Sequence, residues 1–476
     1  MCKTGCIALQ LELEGCGRRA VVAAFDAPST TSDAGVLLLR AAANRLALWE
    51  QVAECFDDHR DPDRIDHTVA ELIAQRVLGI GLGYEDLNDH AFLRDDRALA
   101  VAINKIDPSG QDRRRSCDVG QALASPATLN RLENTPSSLD AKRPDLKLVH
   151  HPEKFEALFV DLFLDAHETP PEQIILDFDA TDDPIHGRQE GAFFHGYYDR
   201  YCYLPLYVFC GDFPLVAKLR TADRDGASGA LEEAQRLVAH IHKRWPETRI
   251  LLRADSGFAR DALMAWCEDT PRVDFLFGLA RNNRLKEMVK ADLDAAREES
   301  EETGRPARRL KELVYETLKS WTRPRRVVAK AEVLVDRDNP RFVVTSLPIV
   351  EASTERVYCE LYCARGDMEN RIKEQQLGLF ADRTSAHRMR TNQLRLWFST
   401  LACVVINEVR RIGLVGTDYA RATALTLRAR LFKIGALVRV SCRRIKLSIS
   451  QTFPLQSLFT TALTRLAPEY PLRANR

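Results

Sequence analysis

The sequence predicts an α/β core placed between two mainly helical regions. Three observations carry that reading. Short apolar strand-like runs at 173–176 and 250–252 each lead into an aspartate, as buried strands do where their last side chains reach a cleft. Apolar residues recur at three-and-four spacing through 35–56, 65–82 and 95–103, before the first of those runs. At 476 residues, the chain is long enough for about three domains with ample core.

In chain order, the first 25 residues are apolar and β-like, with 21–25 a strand, and the helical segments follow. Residues 125–134 read as a short helix with Ser125 as N-cap and Pro126 at its first position, presenting Thr128, Asn130 and Arg131 outward. From Leu148 the order is strand (174–178), aromatic-rich runs (195–203 and 206–210), helix (230–245) and strand (250–254). Glu369 follows Asp255 by 114 positions, more than a helix and a strand need. The excess, 282–350, reads as helical over 285–316 and β-like over 326–335 and 341–346. The expected division is therefore 1–147, a core at 148–385 interrupted by 282–350, and 386–476.

Charge is informative only by its distribution. Lys and Arg number 68, as do Asp and Glu. Residues 384–446, however, hold 13 Lys and Arg against only Glu408 and Asp418. Such a bias is the footprint of phosphate contact, or simply the basic surface of a helical domain. The 12 cysteines form neither a disulfide framework nor a zinc pattern: Cys2, Cys6 and Cys16 lack histidines at ligand spacing, and Cys359 and Cys363 read as small core residues. The longest apolar stretch, 394–406, is too short to span a bilayer, and no signal segment opens the chain, so a cytoplasmic protein is expected.

Three carboxylates stand out chemically. Asp179 lies in Ile-Leu-Asp-Phe-Asp-Ala-Thr, Asp255 in Leu-Leu-Arg-Ala-Asp-Ser-Gly-Phe, and Glu369 in Tyr-Cys-Ala-Arg-Gly-Asp-Met-Glu-Asn-Arg. Acidic side chains from separate elements can hold a hard cation such as Mg2+ while leaving positions open for water and substrate phosphate. Two such ions about 4 Å apart activate an attacking oxygen and stabilise a leaving one. Tyr362, Arg365, Glu369, Lys373 and Gln376 fall on one stripe of a helix, where a purely solvated face is the plainer alternative. Trp321 stands among Lys319, Arg323, Arg325 and Arg326, a combination suited to stacking a base beside bound phosphates, although most tryptophans are core.

These segments resemble the DDE-class insertion-sequence transposases, in the branch with a Tyr-Arg-Glu-Lys signature. The likeness extends to Thr181-Asp182-Asp183-Pro184-Ile185-His186-Gly187, to the run from Gly191 to Tyr198, and to Leu82-Gly83-Tyr84-Glu85-Asp86-Leu87-Asn88-Asp89-His90. It implies an N-terminal region, 1–147, that binds the element ends, and a ribonuclease-H-like core with 282–350 as a β-rich insertion, in which Asp179, Asp255 and Glu369 are catalytic and hold two Mg2+, with Mn2+ as substitute. It implies as partners the terminal inverted repeats of the element and target DNA, end hairpins as intermediates, and a homodimer that joins two ends. Tyr362, Arg365, Lys373, Gln376, Trp321, Arg323, Arg325, Arg326, Arg388, Arg390 and Arg131 are the expected DNA contacts. Gln376 stands where the signature has lysine, so Lys373, one turn nearer Glu369, is expected to carry the charge. Asp182 and Asp183 read as structural turn residues.

One rival shares the first motif. Asp177-Phe178-Asp179-Ala180-Thr181 also satisfies the Asp-x-Asp-x-Thr pattern of haloacid-dehalogenase-like phosphatases, with Asp177 as nucleophile. The later metal aspartate that pattern needs is missing after Gly211-Asp212, and the stripe from Tyr362 to Lys373 is left without a role. A DNA-binding descendant without activity is the other alternative.

Overall fold

A computed structural model of the chain describes residues 10–139, 142–334 and 337–469. Cys2 and Cys6 lie outside these. The chain forms two compact units, one of Met1–Trp49, Arg60–Leu132 and Glu408–Arg476, the other of Glu50–His59 and Glu133–Asn407.

The second unit is built on one mixed sheet. Its strands run, in spatial order, Phe213–Lys218, Leu206–Cys210, Gln173–Ala180, Arg249–Ala254, Val273–Leu279, Arg341–Thr345, Arg325–Leu334 and Ala307–Tyr315, with Arg337–Asp338 pairing on Arg325–Leu334. Gln173–Ala180, Arg249–Ala254 and Val273–Leu279 are parallel neighbours, and the flanking pairs are antiparallel. This mixed α/β arrangement is compatible with a ribonuclease-H-like core.

Both faces of the central strands are covered, which is why their sequences read as nearly unbroken apolar runs. One face carries Leu176, Phe178, Ile250, Leu252, Phe275 and Phe277 against the helix Ala230–Arg244, through Ala234, Leu237, Val238 and Ile241. The other carries Leu251, Leu276, Val328 and Val343 against Val357 and Tyr358. Those last two open a helical run, 356–378, that is π-helical over Arg356–Tyr362, tightens through Cys363–Arg365, is α-helical over Gly366–Lys373 and widens again over Glu374–Gly378. Such irregular turns recur at functional sites.

Three expectations need correction. The helix expected to reach 316 ends at Thr303, where Gly304 adopts a left-handed φ of 64° and terminates it. Ala307–Tyr315 is a strand instead, paired antiparallel along its whole length with Arg325–Leu334. The region 282–350 therefore continues the core sheet instead of standing apart from it.

The flanking regions also differ from their predicted independence. Thr30–Thr31 pairs with Ala436–Val440, which pairs with Ile445–Ile449 in a hairpin the helical reading did not anticipate. Helix Gln456–Leu466 packs on helix Val36–Arg45. The first and last parts of the chain thus share one unit. Phe56–Asp58 pairs with Leu148–His150 in the other unit, where Phe56, His150, Phe155 and Trp397 form a ring cluster with Phe155 and Trp397 stacked at 4.7 Å. Helix Met389–Glu408 accordingly belongs with the core up to Asn407, beyond the expected boundary at 385. Among the described residues no helix is long and apolar enough to cross a membrane.

Candidate active site

Strand alternation decides where the carboxylates go. Leu176 and Phe178 face the helix Ala230–Arg244, so Ile175, Asp177 and Asp179 face the helical run 356–378. On the neighbouring strand the same alternation sends Leu251 and Arg253 to that side. Asp255 follows the strand end, and its Oδ1 accepts from Gly257 N at 2.8 Å, fixing the turn Ser256–Phe258. Glu369 comes from the helical run itself.

Arg365 joins the strand Gln173–Ala180 to the helical run 356–378. Its Nη1 stands 3.3 Å from Asp179 Oδ2 and its Nη2 2.8 Å from Glu369 Oε1. Burial pushes the Asp179 carboxyl up to about 6, with Asp255 and Glu369 adding to the rise and Arg365 opposing it. Burial works against the charge of Arg365, yet Asp179, Tyr362, Asp255 and Glu369 hold it above its ordinary value. Burial likewise raises Tyr362, aided by Asp255. Asp179 and Glu369 thus share one guanidinium, with Asp255 near enough to act on it by charge, a site short of positive charge and made of the oxygen donors that hard cations prefer. Among the described residues no group of three or more His, Cys, Asp or Glu is drawn together closely enough to hold a metal ion, and Asp179 and Glu369 are each paired with Arg365.

Two residues that sequence reasoning passed over position this cluster. Arg253, buried, grips Asp177 through Nε and Nη2, the latter at 2.7 Å from Oδ2, and its Nη1 donates to the Leu361 carbonyl, one residue before Tyr362. A single pair of opposite charges inside two apolar runs was the available signal. Gly278 lies beside the turn after Asp255. A Cβ there would collide with the Tyr362 hydroxyl and stand 2.9 Å from the Ser256 nitrogen.

The family model for transposase DDE domain group 1 matches residues 13–470. The chain belongs to that transposase family. No curated protein matches it significantly. The family acts on DNA and uses divalent metal ions, which agrees with the oxygen-rich donor set around Asp179.

The other expected contacts fall into distinct environments in this transposase. Lys373 is exposed, with no ion pair among the described residues. Gln376 is half-buried, and its Nε2 donates to the Asp182 carbonyl at 3.1 Å, tying the end of the helical run to the turn after Asp179. Arg388 is exposed and lines a groove of about 1030 Å3 with Arg188, His387 and residues 135–139. Arg390 lines it too, but donates to the His150 carbonyl. Arg131 is exposed on helix Pro126–Glu133, where Asn130 is also exposed and Thr128 is turned toward the Ser125 hydroxyl at 3.1 Å.

The Trp321 cluster is partly built into the fold. Trp321 packs on the main core, with Tyr315 edge-on at 5.6 Å and Arg325 over its ring at 5.3 Å. Arg325 is buried and paired with Glu268 and Asp261, Arg323 pairs with Glu268 and Asp269, and Arg326 bonds Glu312 and the Leu347 and Ala352 carbonyls. Arg325 and Arg326 are thus committed within the fold and Trp321 is half-buried, whereas Lys319 and Arg323 are exposed. Arg395 is likewise committed: it meets Glu133, which is fully buried, at 2.7 Å. Cys363 is exposed, contrary to its reading as core, whereas Cys359 packs against the sheet face.

The remaining motifs are structural in their surroundings. Asp183 is buried, and burial pushes its carboxyl up to about 8, so it is largely protonated near neutrality. The Thr384 hydroxyl faces it without good hydrogen-bond geometry. Asp182 pairs with Arg200 at 3.6 Å. In the other unit Tyr84 donates to Asp33 at 2.6 Å beneath the ammonium of Lys433, which itself meets Asp33 at 2.7 Å. Gly83, at a φ of 98°, ends helix Val69–Leu82, and burial lowers His90 to about 3, keeping it neutral. The segment 82–90 therefore braces early and late parts of the chain against each other.

Proposed function

We propose that this transposase cleaves the ends of its own insertion sequence and joins them to target DNA, with Asp179, Asp255 and Glu369 as the metal-holding and catalytic groups. The observation that carries the reading is the sharing of Arg365 by carboxylates from a strand and a helix, with Asp255 close enough to raise Asp179. Mg2+, or Mn2+ in its place, supplies there the positive charge that an attacking oxygen and a leaving oxygen need. Glu369 is exposed on a helix and free to turn toward Asp179 and Asp255 once Arg365 moves to a phosphate oxygen. Arg365 then acts on the substrate as a planar fork, Lys373 as a point charge, and Tyr362 as a hydrogen-bonding neighbour. Positioning and charge neutralisation do most of the catalysis, since phosphoryl transfer asks little covalent work of the protein.

Terminal inverted repeats are the bound sequence, end hairpins the intermediate, cut-and-paste the outcome and a homodimer the working form, each resting on the family resemblance. The phosphatase reading loses its nucleophile, because Asp177 is buried and committed to Arg253. The test is a duplex carrying the element end, incubated with Mg2+. Cleavage by the wild type that is lost in Asp179→Asn, Asp255→Asn and Glu369→Gln, with end binding kept, supports the assignment. Retained cleavage in any one variant removes that residue from the site.

A further inference from the structure

Gln10–Cys16 and Arg19–Ala24 form a two-stranded antiparallel sheet that turns at Gly17, which adopts a left-handed φ of 62°. Among the described residues neither strand pairs with a third. Their residues are all exposed except Val21, which is half-buried, and Phe25, just past the second strand, is 95% exposed. A two-stranded hairpin alone is at best marginally stable in water, so this one is short of a partner.

Its two free edges are not alike. Gln10–Cys16 carries Glu12 and Glu14, whereas the five residues from Ala20 to Ala24 are small, apolar and uncharged. Elsewhere the chain guards its outer strands. Ala307–Tyr315 carries Arg308, Arg309, Lys311 and Glu312, Ile445–Ile449 carries Lys446, and Phe213–Lys218 contains Pro214. Charges and prolines on an outer strand discourage pairing with other chains. Arg19–Ala24 lacks both inside its length and is left able to accept a strand.

A second copy of the same strand fits that edge. Two identical strands related by a two-fold axis meet antiparallel, with opposed residues on the same face, so their pairing centres on one residue. Centred on Val22, the register sets Val22 against its counterpart, Val21 against Ala23, Ala20 against Ala24, Arg19 against Phe25 and Arg18 against Asp26 of the second copy. Arg18 and Asp26 are both exposed and make no ion pair within their own chain among the described residues. The charges are therefore complementary, and the symmetry repeats each pair. The same operation on Gln10–Cys16, centred on Leu13, sets Glu12 against Glu14 twice, and like charges directly opposite are destabilising.

We propose that the edge Arg19–Ala24 is the contact through which two copies of this chain associate, pairing about Val22 into a four-stranded sheet. Leu11, Leu13, Val21 and Ala23 lie on one face of each hairpin, since Leu11 opposes Ala23 and Leu13 opposes Val21, and the four-stranded sheet joins the two apolar faces into one. The proposal rests on the homodimer reading above and adds to it the element that makes the contact.

The test uses sedimentation of the full chain without DNA. One strand edge is a small interface, so association is expected within a range of about 1 to about 100 µM. Arg18→Asp alone and Asp26→Arg alone each set like charges opposite twice and should weaken association about tenfold. An equimolar mixture of the two variants restores both pairs and should associate as the wild type does. All samples should keep the wild-type melting temperature, because both side chains are exposed. Under mild oxidation Val22→Cys should give a covalent dimer well above the wild-type background, since Cβ atoms directly opposite lie within about 5.5 Å, while Val21→Cys, which meets Ala23, should stay at background. Equal association of the variants, the mixture and the wild type, or equal cross-linking at the two positions, overturns the proposal and leaves the homodimer standing. A wild type that stays monomeric both alone and with an element-end duplex defeats the homodimer reading itself and the proposal with it.

Discussion

Arg253 and Asp177 form a buried ion pair across two parallel strands, and the same guanidinium caps the carbonyl of Leu361. The pair therefore sets the depth of the helical run that carries Arg365 and Glu369. Removing one partner of a buried pair leaves the other uncompensated, at a cost of about 3–5 kcal/mol. Asp177→Asn should lower the urea midpoint markedly, while the fraction that remains folded cuts DNA with Mg2+ at close to the wild-type rate. Complete loss of activity in folded Asp177→Asn would make Asp177 a reacting group.

Asp179 couples pH to stability. Unfolded, it loses its proton near 3.8; folded, near 6. The folded state holds the additional proton between those values, so stability falls as pH rises from about 3.8 to about 6 and the penalty is constant above, on the order of 3 kcal/mol. Asp179→Asn should thus raise the metal-free melting temperature at pH 7.5, yet not at pH 3.5, while removing cleavage. Stabilisation of the wild type by Mg2+ should grow from pH 5.5 to 7.5, and a gain independent of pH would contradict the assignment.

Lys373 and Gln376 occupy one stripe with different jobs. Lys373→Ala should lower cleavage and flatten its salt dependence, because an exposed ammonium is lost. Gln376→Ala frees the Asp182 carbonyl and should impair cleavage without changing the salt slope. Equal slopes in the two variants, on one duplex, would refute the division.

Gly278→Ala places a methyl group against the Tyr362 hydroxyl and the turn after Asp255. The expected result is a strong drop in the cleavage rate with end binding little altered. Wild-type cleavage in a crystal structure with Tyr362 unmoved would falsify the view that this close approach sets the site.

Arg439, Arg443, Arg444 and Lys446 are exposed on or beside the hairpin formed by Ala436–Val440 and Ile445–Ile449. Charge reversal of the three arginines should weaken DNA binding across sequences and reduce the slope of log affinity against log salt by about 3. An unchanged slope returns this hairpin to ordinary surface.

The sequence made the strands with Asp179 and Asp255 legible because both faces of those strands are covered, leaving continuous apolar runs. The stripe bearing Arg365 and Glu369 was legible through its spacing. The strand Ala307–Tyr315 was misread because its charged, alternating residues also fit an extended helix, and only pairing with Arg325–Leu334 decides between them. Basic residues were the least legible. Arg325, Arg395 and Arg428 look alike in sequence to Arg388 and Arg443, yet the first three hydrogen-bond within the fold, and their partners lie tens to hundreds of positions away.

The pairing of Thr30–Thr31 with Ala436–Val440 has a consequence in time. A ribosome releases the chain from its N-terminus, so Thr30–Thr31 and helix Val36–Arg45 wait for about four hundred residues before Ala436–Val440 and the helix Gln456–Leu466 emerge. Contacts so distant along the chain form late. A prematurely terminated product would carry all three carboxylates yet lack the covering of its first helices. Such a fragment is expected to be taken up by chaperones or proteases, so that a nonsense mutation near the end of the gene silences the element as effectively as loss of Glu369.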